Sequence, residues 1–240
     1  MTRAKTRTRR PKTTAAPRKV RPPREPGERK SEATRRHLLD RALELFQAQG
    51  VEGTTMRDIA RAAGMSLGAA YYYFPSKEAL VFAFYEANQE AAEGVELTGS
   101  LRDQLATLFH AKLRSIHDQR HMLGTIVQRL IDPGDPLSAF SAQTRAVRER
   151  AIEVFANPLR TAGVPAESVR MAAHALWLLQ LALMLVYIKD DTPGETRTHG
   201  LVDDALDLLV PLLPMLATPL GKGLVERIVA ALDRAGIAVL

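Results

Sequence analysis

Apolar residues along this chain recur at helical spacing from Ser31 onward. In the first such stretch, 32–49, Leu39, Leu43 and Phe46 fall on one helical face. No stretch shows the apolar–polar alternation of β-branched residues that is typical of a strand. The pattern therefore predicts an all-α fold.

Capping residues predict where the first helices begin and end. Gly50 ends the first helix, because glycine is common just past a helix end. Thr55 begins the second helix, and Asp58, three residues further on, completes a capping box. Gly64 ends this helix after about two turns.

Two more helices follow at once. Ser66 caps a short third helix, which must end near Phe74 because Pro75 disfavours the helical conformation in the residue before it. Ser76 caps a fourth helix, which extends to about Gly94.

The remainder of the chain predicts longer helices. The first two are expected at 100–118 and 120–130. A turn at 133–136 precedes a long helix that ends near residue 161. Three more are expected at 165–189, 196–216 and 222–235. Pro211 and Pro214 should kink or break the helix that contains them.

The most apolar segments are 171–188 and 201–216. By length the first could cross a bilayer, but His174 and Gln180 are costly in lipid. A helix buried on most sides in a soluble protein shows the same pattern, so we predict no membrane partner. Pairing both segments, including Leu183, with their symmetry mates would form a four-helix dimer interface, and the alternative is that they form the protomer core.

Charge is unevenly distributed along the 240 residues. Residues 1–30 contain twelve Lys or Arg against Glu25 and Glu28, a net charge of +10, so the remainder of this +6 chain carries −4. The segment has almost no large apolar side chain, which predicts a disordered basic arm with a polyanionic partner. The alternatives are a solvated tail or an upstream translation start that the cell does not use.

Composition excludes several classes of site. The chain has no cysteine, which rules out disulfides, thiolate zinc sites and cysteine nucleophiles. The charged N-terminus lacks the apolar run of a secretory signal, so we expect a cytoplasmic protein.

The two short helices around Gly64 form a helix-turn-helix pattern, in which the second helix enters the major groove of DNA. Ala60 is small where the helices cross, and Gly64 supplies the unusual backbone angles of the turn. The apolar residues that should lock the pair are Ile59, Ala63, Met65, Ala70 and Phe74. No acidic residue lies between Gly64 and Ser76, which suits a surface that faces phosphate.

The segment TTMRDIARAAGMSLGAAYYYFPSKEAL resembles the DNA-binding signature of the TetR (tetracycline repressor) family over about 31–85. Matching positions include Thr55, Ile59, Ala60, Gly64, Ser66, Tyr71, Phe74, Lys77 and Leu80. The resemblance implies an N-terminal three-helix helix-turn-helix domain and a larger helical domain for ligand binding and dimerisation. The expected divisions are a basic arm at 1–30, the DNA-binding domain at 31–76, a connecting helix at 77–94 and the larger domain at 95–240.

The resemblance also implies the DNA contacts. Arg57 and the start of the third helix, Ser66, Leu67, Gly68 and Ala69, would face bases. Thr55, Tyr71, Tyr72 and Lys77 would hold phosphates. The side chains at 67–69 form no hydrogen bonds to bases, so recognition there would use thymine methyls and close backbone approach. Arg57 then either carries an unusual share of the specificity or is one more phosphate contact, and Tyr73 is expected to pack rather than to contact DNA.

Polar or aromatic residues within apolar helices are the candidates for an effector cavity. They are His110, His121, Gln128, Arg129, Trp177, Gln180 and Tyr187. The apolar surroundings favour a lipophilic effector, and we expect no cofactor. His110, His117 and His121 would share a face of an unbroken helix and could ligate a metal. A half-solvated histidine stripe is the favoured explanation, so we predict no metal.

Together these features predict a homodimeric transcriptional regulator. It would be a repressor that binds an inverted repeat in double-stranded DNA and is released by a small effector. The alternatives are a constitutive architectural DNA binder that uses the basic arm, or an enzyme. We predict no enzyme, because the sequence has no phosphate-cradling glycine loop, nucleophile motif or convincing carboxylate pair.

Overall fold

A computed structural model describes residues 26–218 except 133, together with the separate residues 221, 223, 226, 227, 230 and 234. This part of the chain forms helices and no strand, which confirms the all-α prediction. The α-helices are α1 (Pro26–Gln49), α2 (Met56–Ala62), α3 (Leu67–Tyr73), α4 (Lys77–Glu93), α5 (Leu101–Ser115), α6 (Arg120–Thr125), α7 (Val127–Ile131), α8 (Arg145–Thr161), α9 (Ala166–Lys189) and α10 (Thr196–Leu209). Most of the predicted basic arm and most of the predicted helix at 222–235 lie outside the described residues.

The first helix begins earlier than predicted. α1 begins at Pro26, so residues 26–30 of the predicted arm are helical. A proline is well suited to the first turn of a helix, so the sequence is compatible with this earlier start. Residues 26–31 lack the apolar side chains on which the prediction depended, so this extension was missed.

The predicted caps of the N-terminal helices are confirmed. Gly50 and Gly64 have φ of 76° and 65°, the left-handed conformation that glycine adopts without strain. Thr55 and Asp58 form the capping box, and Ser66 caps α3. The helices bury their apolar faces in one core, which includes Leu38, Phe46, Ile59, Phe74 and Leu80.

The helix predicted at 120–130 is instead two helices. Ile126, with φ of −113° and ψ of 12°, separates α6 from α7. Ile126 is buried, and a Cβ added at Gly124 would lie 3.3 Å from Cγ2 of Ile188. Close packing of α6 against α9 therefore outweighs the local preference for one continuous helix.

α9 lies at the centre of the larger domain and contacts α5, α6, α8 and α10. Its length and composition would allow it to cross a membrane, and half of its most apolar window is buried inside the protein. α10 ends at Leu209, and residues Val210–Ala217 form a 3-10 helix that contains both prolines. The predicted break at Pro211 and Pro214 is therefore confirmed.

Candidate DNA-binding surface and internal cavity

The turn between α2 and α3 holds the two helices in a fixed relation. The backbone N–H of Met65 donates to the carbonyl of Ala60 across the turn, at 2.9 Å. Ile59 and Ala60 of α2 are buried, as is Ala70 of α3. α3 is therefore held rigidly while its opposite face stays open.

The open face of α3 is neutral and partly aromatic. Leu67 and Gly68 are exposed, and Tyr72 is 82% exposed, an unusual position for a large aromatic ring. Tyr71 is also exposed, while Tyr73 is half-buried and packs edge-on to Tyr72 with ring centroids 5.2 Å apart. The expected packing role of Tyr73 fits this geometry.

The polar residues at the start of α2 and α3 are largely occupied by capping. The Thr55 hydroxyl donates to Oδ2 of Asp58 at 2.5 Å and accepts from the Asp58 backbone N–H at 3.2 Å. The backbone N–H of Thr55 also donates to Oδ2 of Asp58, at 3.2 Å, and these two hydrogen bonds to the carboxylate hold the pKa of Asp58 below its ordinary value. The Ser66 hydroxyl accepts from the Ala69 N–H at 3.2 Å, whereas Arg57 is exposed on α2.

Lys77 links α4 to the loop between α1 and α2. Its Nζ donates to the carbonyl oxygen of Val51 at 2.7 Å and lies 3.8 Å from the Glu52 carboxylate. A phosphate contact by Lys77 would add to this structural role or compete with it.

A cavity of about 370 Å³ lies in the larger domain, between α4, α5, α8 and α9 and the segment 130–144. Its lining is predominantly apolar, and Phe140 and Trp177 pack edge-on with centroids 5.7 Å apart. The polar lining includes Gln89, Lys112 and Gln180. A volume of this size suits a small organic molecule.

Only part of the predicted cavity set lies in this lining. Trp177 and Gln180 line it, as expected. The other five predicted residues do not line this cavity: His110, His121, Gln128, Arg129 and Tyr187. Gln128 and His121 are exposed, and the remaining three have polar partners outside the cavity.

His110 pairs with a residue that the sequence analysis did not consider. Its Nδ1 lies 2.7 Å from Nδ1 of His199, so one ring donates and the other accepts, and this pair joins α5 to α10. Burial lowers the pKa of His110, which favours the neutral ring. The predicted histidine stripe does not form, because α5 ends at Ser115 before His117. Within the described residues, no group of three or more His, Asp or Glu is arranged to hold a metal ion.

Tyr187 is a core residue of the larger domain. Its hydroxyl lies 3.0 Å from Nδ1 of His117, and the Arg120 guanidinium carbon lies 4.9 Å from the ring centroid. Arg120 also pairs with Glu195 at 2.6 Å. These contacts tie α9 to α6 and to the segment before α10.

Arg129 connects the two domains instead of lining the cavity. Its Nε donates to Asp135 at 2.8 Å and its Nη1 to Glu52 at 2.7 Å, and its Nη2 lies 3.5 Å from Glu78. Glu52 belongs to the α1–α2 loop and Glu78 to the first turn of α4. The next residue, Leu130, lines the cavity. Neighbouring residues of α7 therefore contact the cavity and the DNA-binding domain.

Comparison with known proteins supports the sequence resemblance. The family model described as bacterial regulatory proteins of the tetR family matches residues 38–84. The transcriptional regulator AcrR of Shigella flexneri is 40% identical over 67 residues, which are 28% of this chain and 31% of AcrR. The transcriptional repressor Rv1474c of Mycobacterium tuberculosis is 38% identical over 78 residues, 31% of this chain and 42% of that protein.

These two matches therefore cover less than half of the length of each curated relative. For the remainder of the chain, the similarity is in fold. The crystal structure of a TetR transcriptional regulator from Nitrosomonas europaea has a TM-score of 0.59 and covers 73% of this chain and 97% of its own, at 16% identity. Residues 38–84 are thus similar to bacterial regulatory proteins of the tetR family, and the chain shares its fold with a solved TetR regulator.

Proposed function

We propose that this protein is a cytoplasmic, homodimeric transcriptional repressor, and not an enzyme, that leaves its operator when a small apolar molecule fills the cavity. The observation that carries the proposal is the exposed, acid-free face of α3, held by a capped helix-turn-helix that matches the family signature. One matched relative is named as a repressor.

In this proposal α3 enters the major groove with its N-terminus leading. Arg57 and residues 66–69 face the bases, and Thr55, Tyr71, Tyr72 and Lys77 lie along the phosphates. Because Leu67 and Gly68 are exposed and offer no side-chain hydrogen bond, they suit contact with thymine methyls and a close backbone approach.

The dimer would form through the open apolar faces of α9 and α10. Large apolar side chains are exposed along this part of the chain at Leu185, Leu201, Leu208, Leu209, Leu212 and Met215. Leu183, which the sequence analysis included in the interface, is 2% exposed and belongs to the protomer core instead. Such an apolar surface is typical of a contact with a second protein surface.

Arg129 provides the proposed link between cavity and DNA-binding domain. We expect Arg129→Met to accelerate amide hydrogen exchange at Gly50 and Thr54 by about fivefold, the equivalent of about 1 kcal/mol for a partly exposed ion-pair network. The reason is that the Arg129–Glu52 pair holds the α1–α2 loop against α7. Exchange would be measured by mass spectrometry on the full chain.

The matched control is Arg160→Met, which removes the same charge and breaks a pair with Glu153 inside α8. It should leave exchange at Gly50 and Thr54 unchanged. Equal rates in both variants would show that Arg129 does not restrain the loop.

Selection of bound DNA from a random pool tests the repressor proposal directly. The full chain should enrich an inverted repeat whose half-sites are centred about one helical turn, or a whole number of turns, apart. A chain that lacks residues 1–25 should enrich the same sequence, since the basic arm contributes charge and not base recognition. Retention of DNA without any enriched repeat would instead support a constitutive architectural binder.

A further inference from the structure

The cavity wall contains a half-buried cation without a carboxylate ion-pair partner among the described residues. Lys112 lies on α5, and its Nζ donates to Oε1 of Gln89 at 3.2 Å. Within the described residues, no carboxylate oxygen lies within ion-pair distance of this Nζ. Burial lowers the pKa of Lys112 to about 8, although the more distant Glu93 opposes the shift. An ammonium group with three donors and one protein acceptor is open to a further acceptor.

Glu93, the acidic group whose charge acts on Lys112, is already paired with Arg150. Glu93 accepts two hydrogen bonds from the Arg150 guanidinium, at 2.7 and 2.8 Å, and one from Nε2 of Gln89 at 3.1 Å. The Gln89 amide is thereby oriented with its oxygen towards Lys112 and its nitrogen towards Glu93. Lys112 therefore has no direct ion-pair partner at the cavity wall, although Glu93 acts on it from a distance.

The charged groups in the rest of the lining are also positive. The lining contains no Asp or Glu, and its second cation, Arg148, donates to the carbonyls of Ala139 and Ser141. The Oε1 of Gln180 is buried and has no hydrogen-bond partner, so the wall also offers an unused acceptor. Around these groups the surface is formed by apolar side chains such as Trp177 and Leu181.

We infer that the effector is an apolar acid, whose carboxylate binds Nζ of Lys112 while its hydrocarbon part lies against Trp177 and the neighbouring apolar wall. A carboxylate supplies the charge-assisted hydrogen bond that Lys112 lacks. A neutral apolar molecule would leave the cation unpaired, and a lipophilic cation would be repelled by Lys112 and Arg148. This inference rests on the proposed control of the repressor by a ligand in this cavity.

Fluorescence titration tests the inference, since Trp177 is the one tryptophan of the chain and lines the cavity. The probes are decanoate, decanol and protonated decylamine, which share a hydrocarbon tail and differ in charge, each kept below its micelle concentration at neutral pH. Decanoate should bind at least about tenfold more tightly than decanol, the scale of one charge-assisted hydrogen bond, and decylamine should bind most weakly.

Lys112→Met should abolish the preference for the acid and leave decanol affinity unchanged. This variant should fold, because it replaces a half-buried cation with an apolar side chain of similar length. Lys189→Met, which removes an exposed lysine at the end of α9, is the matched control and should keep the preference. Equal binding of the three probes, no binding of any probe, or a preference that survives in Lys112→Met would each overturn the inference.

These failures are distinguishable from failure of the repressor proposal. A protein that enriches an inverted repeat but shows no preference for decanoate contradicts the acid effector alone. A protein that prefers decanoate through Lys112 but enriches no DNA supports the assignment of the cavity and contradicts the repressor.

Discussion

Glutamate in place of Gly68 is expected to abolish operator binding while the protein stays folded. Gly68 is the second residue of α3 and is exposed, and a Cβ added there would meet no atom within 4 Å. A negative charge in the first turn also suits the helix dipole, so the fold should tolerate it. Against DNA, the same charge faces phosphates and base edges on a helix that otherwise carries no acid.

We expect a loss of at least about 100-fold in operator affinity, because a dimer presents the acid at both half-sites and lost base contacts cost about 1 to 3 kcal/mol each. Anisotropy with the selected operator would measure the loss, and thermal melting would verify the fold. Gly68→Ala is the control that distinguishes an effect of side-chain size from an effect of charge. It should raise the free energy of unfolding by about 0.5 to 1 kcal/mol and bind DNA far better than the glutamate variant. Operator binding by Gly68→Glu at the affinity of the unmodified protein would show that α3 is not the recognition helix.

Sequence alone predicted the caps and the turn of the helix-turn-helix, because these depend on neighbours close in the chain. The Thr55–Asp58 capping box, the Ser66 cap and the left-handed Gly64 all involve residues within three positions of each other. Such signals are local chemistry and can be recognised in a sequence.

The cavity could not be predicted in the same way, since its lining depends on distant partners. His110 hydrogen-bonds to His199, which is 89 residues away in the chain, and Arg129 pairs with Glu52, which is 77 residues away. Both side chains are therefore directed away from the cavity. Lys112 was missed for the converse reason. A lysine on an amphipathic helix usually extends into solvent, and only the packing of α4 and α8 against α5 encloses it.

Glutamate in place of Leu208 is expected to convert the proposed dimer into monomers. Leu208 is 72% exposed on α10, and Leu201, Leu212 and Met215 are exposed along the same part of the chain. Burial of one leucine contributes about 1.5 to 3 kcal/mol. In a twofold-symmetric dimer the substitution occurs once in each protomer, so the lost binding free energy is doubled. The dimer dissociation constant should therefore rise by about 10² to 10⁴.

The substitution should leave each protomer folded, because the exposed Leu208 side chain has little contact with the protomer core. Sedimentation velocity would then show folded monomers, whereas the same substitution at the buried Leu183 would unfold the chain. Ala146→Glu is the matched control, since it adds the same charge at an exposed position of α8 and should leave the dimer intact. A Leu208→Glu protein that still sediments as a dimer would place the interface elsewhere.

Loss of the dimer should also remove most of the affinity for the inverted repeat. In the dimer, binding of one α3 raises the effective concentration of the second at its half-site, and avidity of this kind exceeds single-site affinity by about 10² to 10⁴. The monomer should therefore bind an inverted repeat no better than an isolated half-site, although its α3 surface is unchanged. Anisotropy titrations with the inverted repeat and with the isolated half-site would measure the two affinities. A monomer that still preferred the intact repeat would show that a contact other than α9 and α10 joins the two recognition helices.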